Sequence, residues 1–382
     1  MSQKPDVIVV GAGIIGVSCA WRLAQAGLRV TVLERNAPGS EASQAALGVL
    51  SFHARAGVPS PLNRLFVQSR DFYPPLLEEL AEVTGERVDY RGGGQLLLAL
   101  TEADLPAVEA LHDANAEMGV TVERPTADEI RLLVPGMSIS PAGALFFPDD
   151  ARVDNTALTL AIARAAETAG VVFVRRTVTA VETEGGRATG VRCGGERFEA
   201  GHVIIAAGAW SGRIAGLPPL PVMPVRGQAL AVAAQPFRRV IFSPLGYLVP
   251  KGDGQTMVGA TVERAGFAEQ NTLGGLAEIT AAAMAMAPEL GEAEFIGAWA
   301  GLRPGTPDGL PFIGPFPEHS NLIAAAGHFR NGILLAPLTA AMVVAAVTGA
   351  PSPAGLQPFL PERAAHLPPA DAAVPPAADH LH

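Results

Sequence analysis

The sequence predicts an α/β protein: a Rossmann-like nucleotide-binding sheet drawn from three separated parts of the chain, with a mostly antiparallel sheet inserted between them. Three observations carry this. DVIVV (6–10), GAGIIG (11–16) and RVTVLE (29–34) read as strand, glycine turn and strand around a helix, at the length a parallel pair with a helical crossover requires. Residues 221–261 are dense in strand patterns broken by tight turns. Residues 321–326 then supply another buried strand just ahead of a long apolar helix pattern.

Element by element, helical period runs from the glycine turn through CAWRLAQAG and stops at Gly27. Over residues 60–85 the pattern is helical and amphipathic, and 89–100 read as strands around the triple glycine at 92–94. Helices are expected at 102–119, 126–134 and 158–169, the last ended by Gly170. Strands follow near 171–174, 180–183 and 188–193, with EGG (184–186) as the turn between the last two. HVIIAAGAW (202–210) is a buried strand ending in small residues. QALAVAA, RVIFSP, GYLVPK and TMVGAT are four more strands, two of them joined by KGDGQ (251–255). Residues 272–286 form a helix, 297–314 strand and loop, and a long helix follows GHFRNG. From Pro361 the chain is rich in Ala and Pro without period, which predicts a disordered tail.

The length of 382 residues suits two intertwined domains. A net charge of −10 argues against nucleic-acid binding. The two cysteines, Cys19 and Cys193, form no CxxC pair, so neither zinc nor a redox pair is expected, and no metal site is predicted. No signal peptide is evident. The longest apolar run, 333–347, is shorter than a membrane span and carries Pro337 and Thr339. A cytoplasmic protein without a membrane partner is therefore expected.

Gly11, Gly13 and Gly16 meet the GxGxxG pattern after a strand and at the start of a helix, where Ile14 and Ile15 follow. Gly11 allows the tight turn, Gly13 lets backbone approach a pyrophosphate, and Gly16 lets helix and strand pack closely. The helix N-terminus then faces phosphate charge. Glu34, followed by Arg35, ends the second strand and is placed to accept from an adenosine ribose. These residues leave NAD or FAD open. SEASQAALGVL (40–50) lies where an FAD protein brings a loop against pyrophosphate and flavin, or it is a plain connection. Two arginines stand in apolar, kinked stretches: Arg303 in GAWAGLRPGTPDGLPFIG (297–314) and Arg330 in GHFRNGILLAP (327–337).

Together with the glycine fingerprint, Glu34 and the loop to Leu50, three further stretches, HVIIAAGAWS, AGLRPGTPDGLPFIG and AGHFRNGILLAP, carry a likeness. The chain resembles the bacterial glycine oxidase family of the thiamine pathway, within the D-amino-acid oxidase and sarcosine oxidase superfamily of flavoproteins. The likeness runs from about Val7 to Gly349. It implies FAD, and oxidative deamination of a small amine that carries a carboxylate. Hydride passes to the flavin, O2 reoxidises it to give peroxide, and the imine hydrolyses, so that glycine yields glyoxylate and ammonia. It implies an FAD-binding domain from 1–85, 145–218 and 305–360, a substrate-binding domain from 86–144 and 219–304, and a homotetrameric assembly.

Residue by residue, the resemblance implies that Arg303 binds the substrate carboxylate and that Tyr247 donates a hydrogen bond to the same group. Guanidinium suits that role because it offers a planar two-point clamp. Arg330 matches a second substrate-contacting position. Ala42, Ser43, Leu47, Gly48 and Val49 match FAD contacts, and Val178 matches the adenine wall. Gly208, in the small residues that end the 202–210 strand, joins the cofactor set. His328, Phe329, Asn331, Gly332, Ile333 and Leu334 match, with Arg330, the loop that crosses the flavin. No acid or base residue is required for the flavin-centred step. Attachment is expected to be non-covalent, because no cysteine lies near GLRPGTPD. The alternatives for the three key side chains are a surface or interdomain ion pair for Arg303, a loop ion pair for Arg330 and a core role for Tyr247.

The chain departs from the family where a second aromatic hydroxyl precedes the tyrosine position. Phe242 stands there, Leu245 lies between, and Ser51 and Phe52 follow the flavin loop. Phe242, Leu245 and Ser51 are thus candidate substrate contacts. Glycine, sarcosine and small D-amino acids are the expected substrates, with larger N-substituted glycines as the alternative. A flavin dehydrogenase with a non-oxygen acceptor, a non-catalytic flavin protein and an NAD enzyme are the competing classes.

Overall fold

The computed structural model describes residues 4–53, 60–135 and 137–370. Its centre is a six-stranded sheet in the order Phe312–Phe316, His319–Ala326, His202–Ile205, Val7–Val10, Val30–Glu34, Val172–Arg175. Every neighbouring pair is parallel except the first, an antiparallel hairpin. Strand alternation sends Val7, Val9, Val32 and Ile204 to one face, beneath the helices Ile14–Gln25, Asn155–Thr168 and Gly332–Thr348. Ile8, Leu33, Val203 and Ile205 point to the other face. There they meet a three-stranded meander, Ala180–Glu184, Arg187–Cys193 and Glu196–Glu199. Burial on both faces explains the unbroken apolar runs in the sequence.

The second sheet has seven strands, in the order Phe295–Gly305, Met223–Val232, Thr256–Gly259, Gly246–Pro250, Val240–Ser243, Gln95–Ala99, Gly143–Phe147. It is antiparallel save for the pair Val240–Ser243 and Gln95–Ala99. Helix Leu273–Met286 covers its outer face through Ile279 and Met286. The α/β expectation therefore holds, with the antiparallel sheet inserted as the spacing predicts.

The structure refines the helical stretch 60–85, adds strands and corrects the reading of the tail. Residues 60–85 form two helices, Pro61–Arg70 and Tyr73–Thr84. Pro74 and Pro75 are tolerated only in a first turn, so the second helix starts there. Strands Gly143–Phe147, Ala151–Val153 and Glu196–Glu199 were not legible, because each is short and bounded by charge or proline. The tail is ordered at its start: Pro361–His366 is a short helical turn with Ala364 buried. Arg363 holds it, reaching Asp308 at 2.8 Å and lying 3.8 Å over the Phe312 ring. An Ala- and Pro-rich segment loses little side-chain entropy when it docks, which its composition alone does not reveal. The remaining tail, 371–382, lies outside the described residues.

Candidate active site

A cavity of about 340 Å³ runs between the two sheets, from Glu34 and Arg35 at one end to Arg303 and Tyr247 at the other. At the first end, Gly11 has φ +100°, and a Cβ there would lie 2.5 Å from the Ala206 carbonyl oxygen. A Cβ on Gly16 would lie 2.0 Å from the Gly11 oxygen. Gly16 thus acts through packing and does not line the cavity, whereas Gly11, Gly13, Ile14 and Ile15 do. The Ile14 amide donates to Ser43 Oγ at 2.9 Å, and the Glu34 carboxylate accepts from the Ala12 and Asn36 amides at 2.7 and 2.8 Å. Arg35 pairs with Glu41 and lies 3.7 Å over the Trp210 ring. Val178 and Gly208 line the same end, as do Arg213 and Trp210, which the sequence reading did not assign.

The middle of the cavity is bounded by Ala42, Ser43, Leu47, Gly48 and Val49. Gly48 has φ +77°, and a Cβ there would sit 1.9 Å from the Val153 oxygen, so only glycine fits. The antiparallel sheet grips this loop twice. Trp299 Nε1 donates to the Ala45 carbonyl at 3.0 Å, and Lys251 Nζ to the Leu47 carbonyl at 3.3 Å. Burial pushes the Lys251 ammonium down from its usual value.

His328, Phe329, Arg330, Gly332 and Ile333 line the cavity where the Gly332–Thr348 helix begins, so its partly positive end faces inward. Asn331 caps that helix by position and Leu334 is buried beneath it; neither lines the cavity. Phe329 adopts φ +48°, the one left-handed non-glycine residue among those described, and its amide is held by the Pro304 carbonyl at 2.9 Å. Arg330 lies 5.1 Å over the Phe329 ring.

His328 Nε2 lies 3.0 Å from Thr339 Oγ1, and burial pushes the imidazole from 6.5 down to about 3. Between those values the unfolded chain binds a proton that the folded chain refuses. Stability is then complete above about pH 6.5 and falls as pH drops toward 3. Denaturant unfolding at pH 6.5 and pH 4 should show a loss on the order of 3 kcal/mol from this group, and His328→Asn should flatten that slope. An unchanged slope in the variant refutes the assignment.

At the far end, Arg303 rises from the strand Phe295–Gly305 and lies flat over Gly227, where a Cβ would be 2.2 Å from Nη1. Nη1 donates to the Thr261 carbonyl at 2.9 Å. Among the described residues Arg303 forms no ion pair with an acid. Tyr247 leans in from the other side, over Gly259, where a Cβ would be 2.8 Å from its Cζ. Gly227 and Gly259 sit on adjacent paired strands, so two glycines clear a trough on which Arg303 and Tyr247 converge. Sequence reasoning missed both; a glycine inside a strand pattern is the signal for such close approach. Phe242 stacks on Tyr247 at 5.1 Å, and buried Ser51 joins the lining. Leu245 does not. It sits in the tight turn between Val240–Ser243 and Gly246–Pro250, is 46% exposed and lies outside the cavity. A turn at the end of two strands carries its side chain past the sheet that forms the wall. His53 and Gln95, unassigned from sequence, do line the cavity. Among the described residues no cluster is fit to hold a metal ion, and no helix is long and apolar enough to cross a membrane.

Comparison with known proteins agrees with this geometry. Residues 6–346 match the FAD dependent oxidoreductase family. The chain is 37% identical over 359 residues to the glycine oxidase of Bacillus licheniformis, covering 92% of this chain and 95% of that one. It is also 37% identical over 353 residues to the bifunctional protein ThiO/ThiG of Synechocystis; there it covers 90% of its own length but spans only 51% of the relative. The crystal structure of glycine oxidase from Geobacillus kaustophilus superimposes with a TM-score of 0.90 at 34% identity, over 94% of this chain and 98% of that one.

Proposed function

Because the chain belongs to the family of FAD-dependent oxidoreductases, we propose that it oxidises glycine, sarcosine and small D-amino acids at the C–N bond, with dioxygen as the electron acceptor. The products on this reading are peroxide and an imine, which hydrolyses to glyoxylate (from glycine or sarcosine) and ammonia or an amine. The observation that carries it is Arg303, a guanidinium in the cavity wall that pairs with no acid among the described residues and converges with Tyr247. The residues fit FAD. One cavity joins the acid that suits a ribose, the close-packed glycine turn, a loop that tolerates only glycine at position 48, and a helix N-terminus. FAD, when bound, would accept a hydride from the carbon that bears the amine, leaving a C=N bond, and would pass the electron pair to dioxygen. The chain's own part is to hold and orient. Arg303 clamps the carboxylate at two points and Tyr247 donates to it, in a cleft where charge interactions exceed their strength in water. The Gly332 helix end stabilises negative charge that develops beside it.

Non-covalent attachment is supported by Cys19 and Cys193, which are buried and absent from the cavity wall. Acid should therefore release the yellow chromophore. We also propose that segments 86–144 and 219–304 act as the substrate unit. Resemblance to ThiO/ThiG supports a place in thiamine biosynthesis, and we propose in addition a cytoplasmic homotetramer. The deciding experiment is the visible spectrum followed by anaerobic addition of glycine and sarcosine. A flavin spectrum that bleaches, then recovers in air with one peroxide per substrate, is expected. A colourless protein overturns the FAD assignment, and bleaching without peroxide favours a dehydrogenase.

A further inference from the structure

The cavity continues beyond Tyr247. Tyr247 pairs across the sheet with Phe242, and Phe242 with Leu97. Phe147 stands on the next strand out, three strands from Tyr247 and on the side away from Arg303. Phe242, Leu97 and Phe147, with Leu111 from the helix Leu105–Glu117, give this side chamber carbon walls. Its polar lining groups include Ser51 and His53.

Both have their protons already committed. The Gln95 amide nitrogen donates to the Leu50 and Ala151 carbonyls at 3.2 and 2.7 Å, which fixes the orientation of the amide. Its oxygen therefore faces Ser51 and takes the hydroxyl proton at 2.9 Å. Ser51 Oγ is left with lone pairs alone. His53 Nδ1 lies 2.6 Å from Asp150 Oδ2, while the other Asp150 oxygen takes the Phe52 amide at 2.7 Å. The imidazole also stacks on Phe147 at 3.7 Å. A carboxylate only accepts, so Nδ1 carries the hydrogen that faces Asp150, and in the tautomer this selects Nε2 is the ring's acceptor, turned away from Asp150.

We propose that this chamber is a side pocket for a substituent on the substrate's nitrogen or α-carbon, and that it selects substituents ending in a hydrogen-bond donor, a hydroxyl or ammonium. This rests on the reading of the site as one for oxidising amines that carry a carboxylate. An apolar end buries its carbon well but leaves two buried acceptors dry, which costs more than the packing returns. A carboxylate end meets two acceptors backed by Asp150 and is repelled. A donor end satisfies Ser51 or His53 while its methylenes lie on Leu97 and Phe147. Gln95 and Asp150 are positioning residues, since each acts by holding the proton of a neighbour.

The test is an anaerobic titration of the FAD-loaded protein with glycine, N-propylglycine, N-(2-hydroxyethyl)glycine and N-(carboxymethyl)glycine. It reads Kd from the perturbed flavin spectrum and rate from bleaching. N-(2-hydroxyethyl)glycine should bind about tenfold tighter than its propyl isostere, with the carboxymethyl compound weakest. Ser51→Ala should shrink the hydroxyethyl-to-propyl ratio severalfold. His53→Phe, which keeps a ring on Phe147, should do the same. A propyl or carboxymethyl compound that binds as tightly as the hydroxyethyl one overturns the proposal, as does an unmoved ratio in Ser51→Ala. Glycine bleaching with a ratio near one removes the chamber and leaves the oxidation reading intact. Tightest binding by the hydroxyethyl compound with no bleaching by any amine does the reverse.

Discussion

Replacing Arg303 by Gln should lower kcat/KM for glycine by roughly a thousandfold, and replacing it by Lys by about a hundredfold. The two values separate charge from shape. Glutamine removes the cation and leaves the substrate carboxylate unpaired in a partly dry cleft. Lysine keeps a positive charge but not the two-point fork, and its strongly hydrated ammonium must be stripped of water to work there. The loss should show mainly as weaker substrate binding in anaerobic flavin reduction, with FAD still retained, because Arg303 lies at the far end of the cavity from Glu34. A variant within threefold of the parent sinks the assignment and moves the carboxylate to Arg330, the other arginine at this end.

Gly227→Ala should be nearly as damaging to activity, yet almost harmless to stability. A Cβ at this position would stand 2.2 to 2.4 Å from three atoms of the Arg303 guanidinium. What it meets is the far end of a flexible side chain, so the strain is relieved by displacing that end. The strand backbone stays, and alanine even restricts the unfolded chain a little, worth under about 1 kcal/mol in favour of the fold. Activity should nevertheless fall by about a hundredfold or more, since a small misplacement of an orienting group is costly to catalysis. Thermal unfolding within a few degrees of the parent, together with that loss, is the expected pair of results. Full activity would show that the guanidinium does not need its seat on Gly227.

The nucleotide end was legible because it is local: Gly11 to Glu34 complete their strand, turn, helix and strand within one stretch of chain. Arg303 was legible as an arginine out of keeping with its neighbours. Its relation to Tyr247 came only through the family resemblance and not from the residue pattern, because it depends on the register of Met223–Val232 against Phe295–Gly305 and Thr256–Gly259. Register between strands so far apart is set by tertiary packing, and a sequence pattern of period two cannot state it. Leu245 shows the same limit: proximity to Tyr247 in sequence placed it at the site, but the turn takes it outside. The His53 and Asp150 contact, across 97 positions of chain, left no local trace at all.

The double grip on the 42–49 loop, through Trp299 and Lys251, bears on how a cofactor leaves. Both holds come from the antiparallel sheet, which is no part of the nucleotide fold. A molecule lying between loop and sheet is released only when that seam parts, so its escape is a local opening and its rate an opening rate. Such rates climb severalfold for each ten degrees. A protein that holds FAD with modest affinity would still keep its colour through dilution and dialysis in the cold, and would release its FAD to solution within a narrow band of temperature on warming.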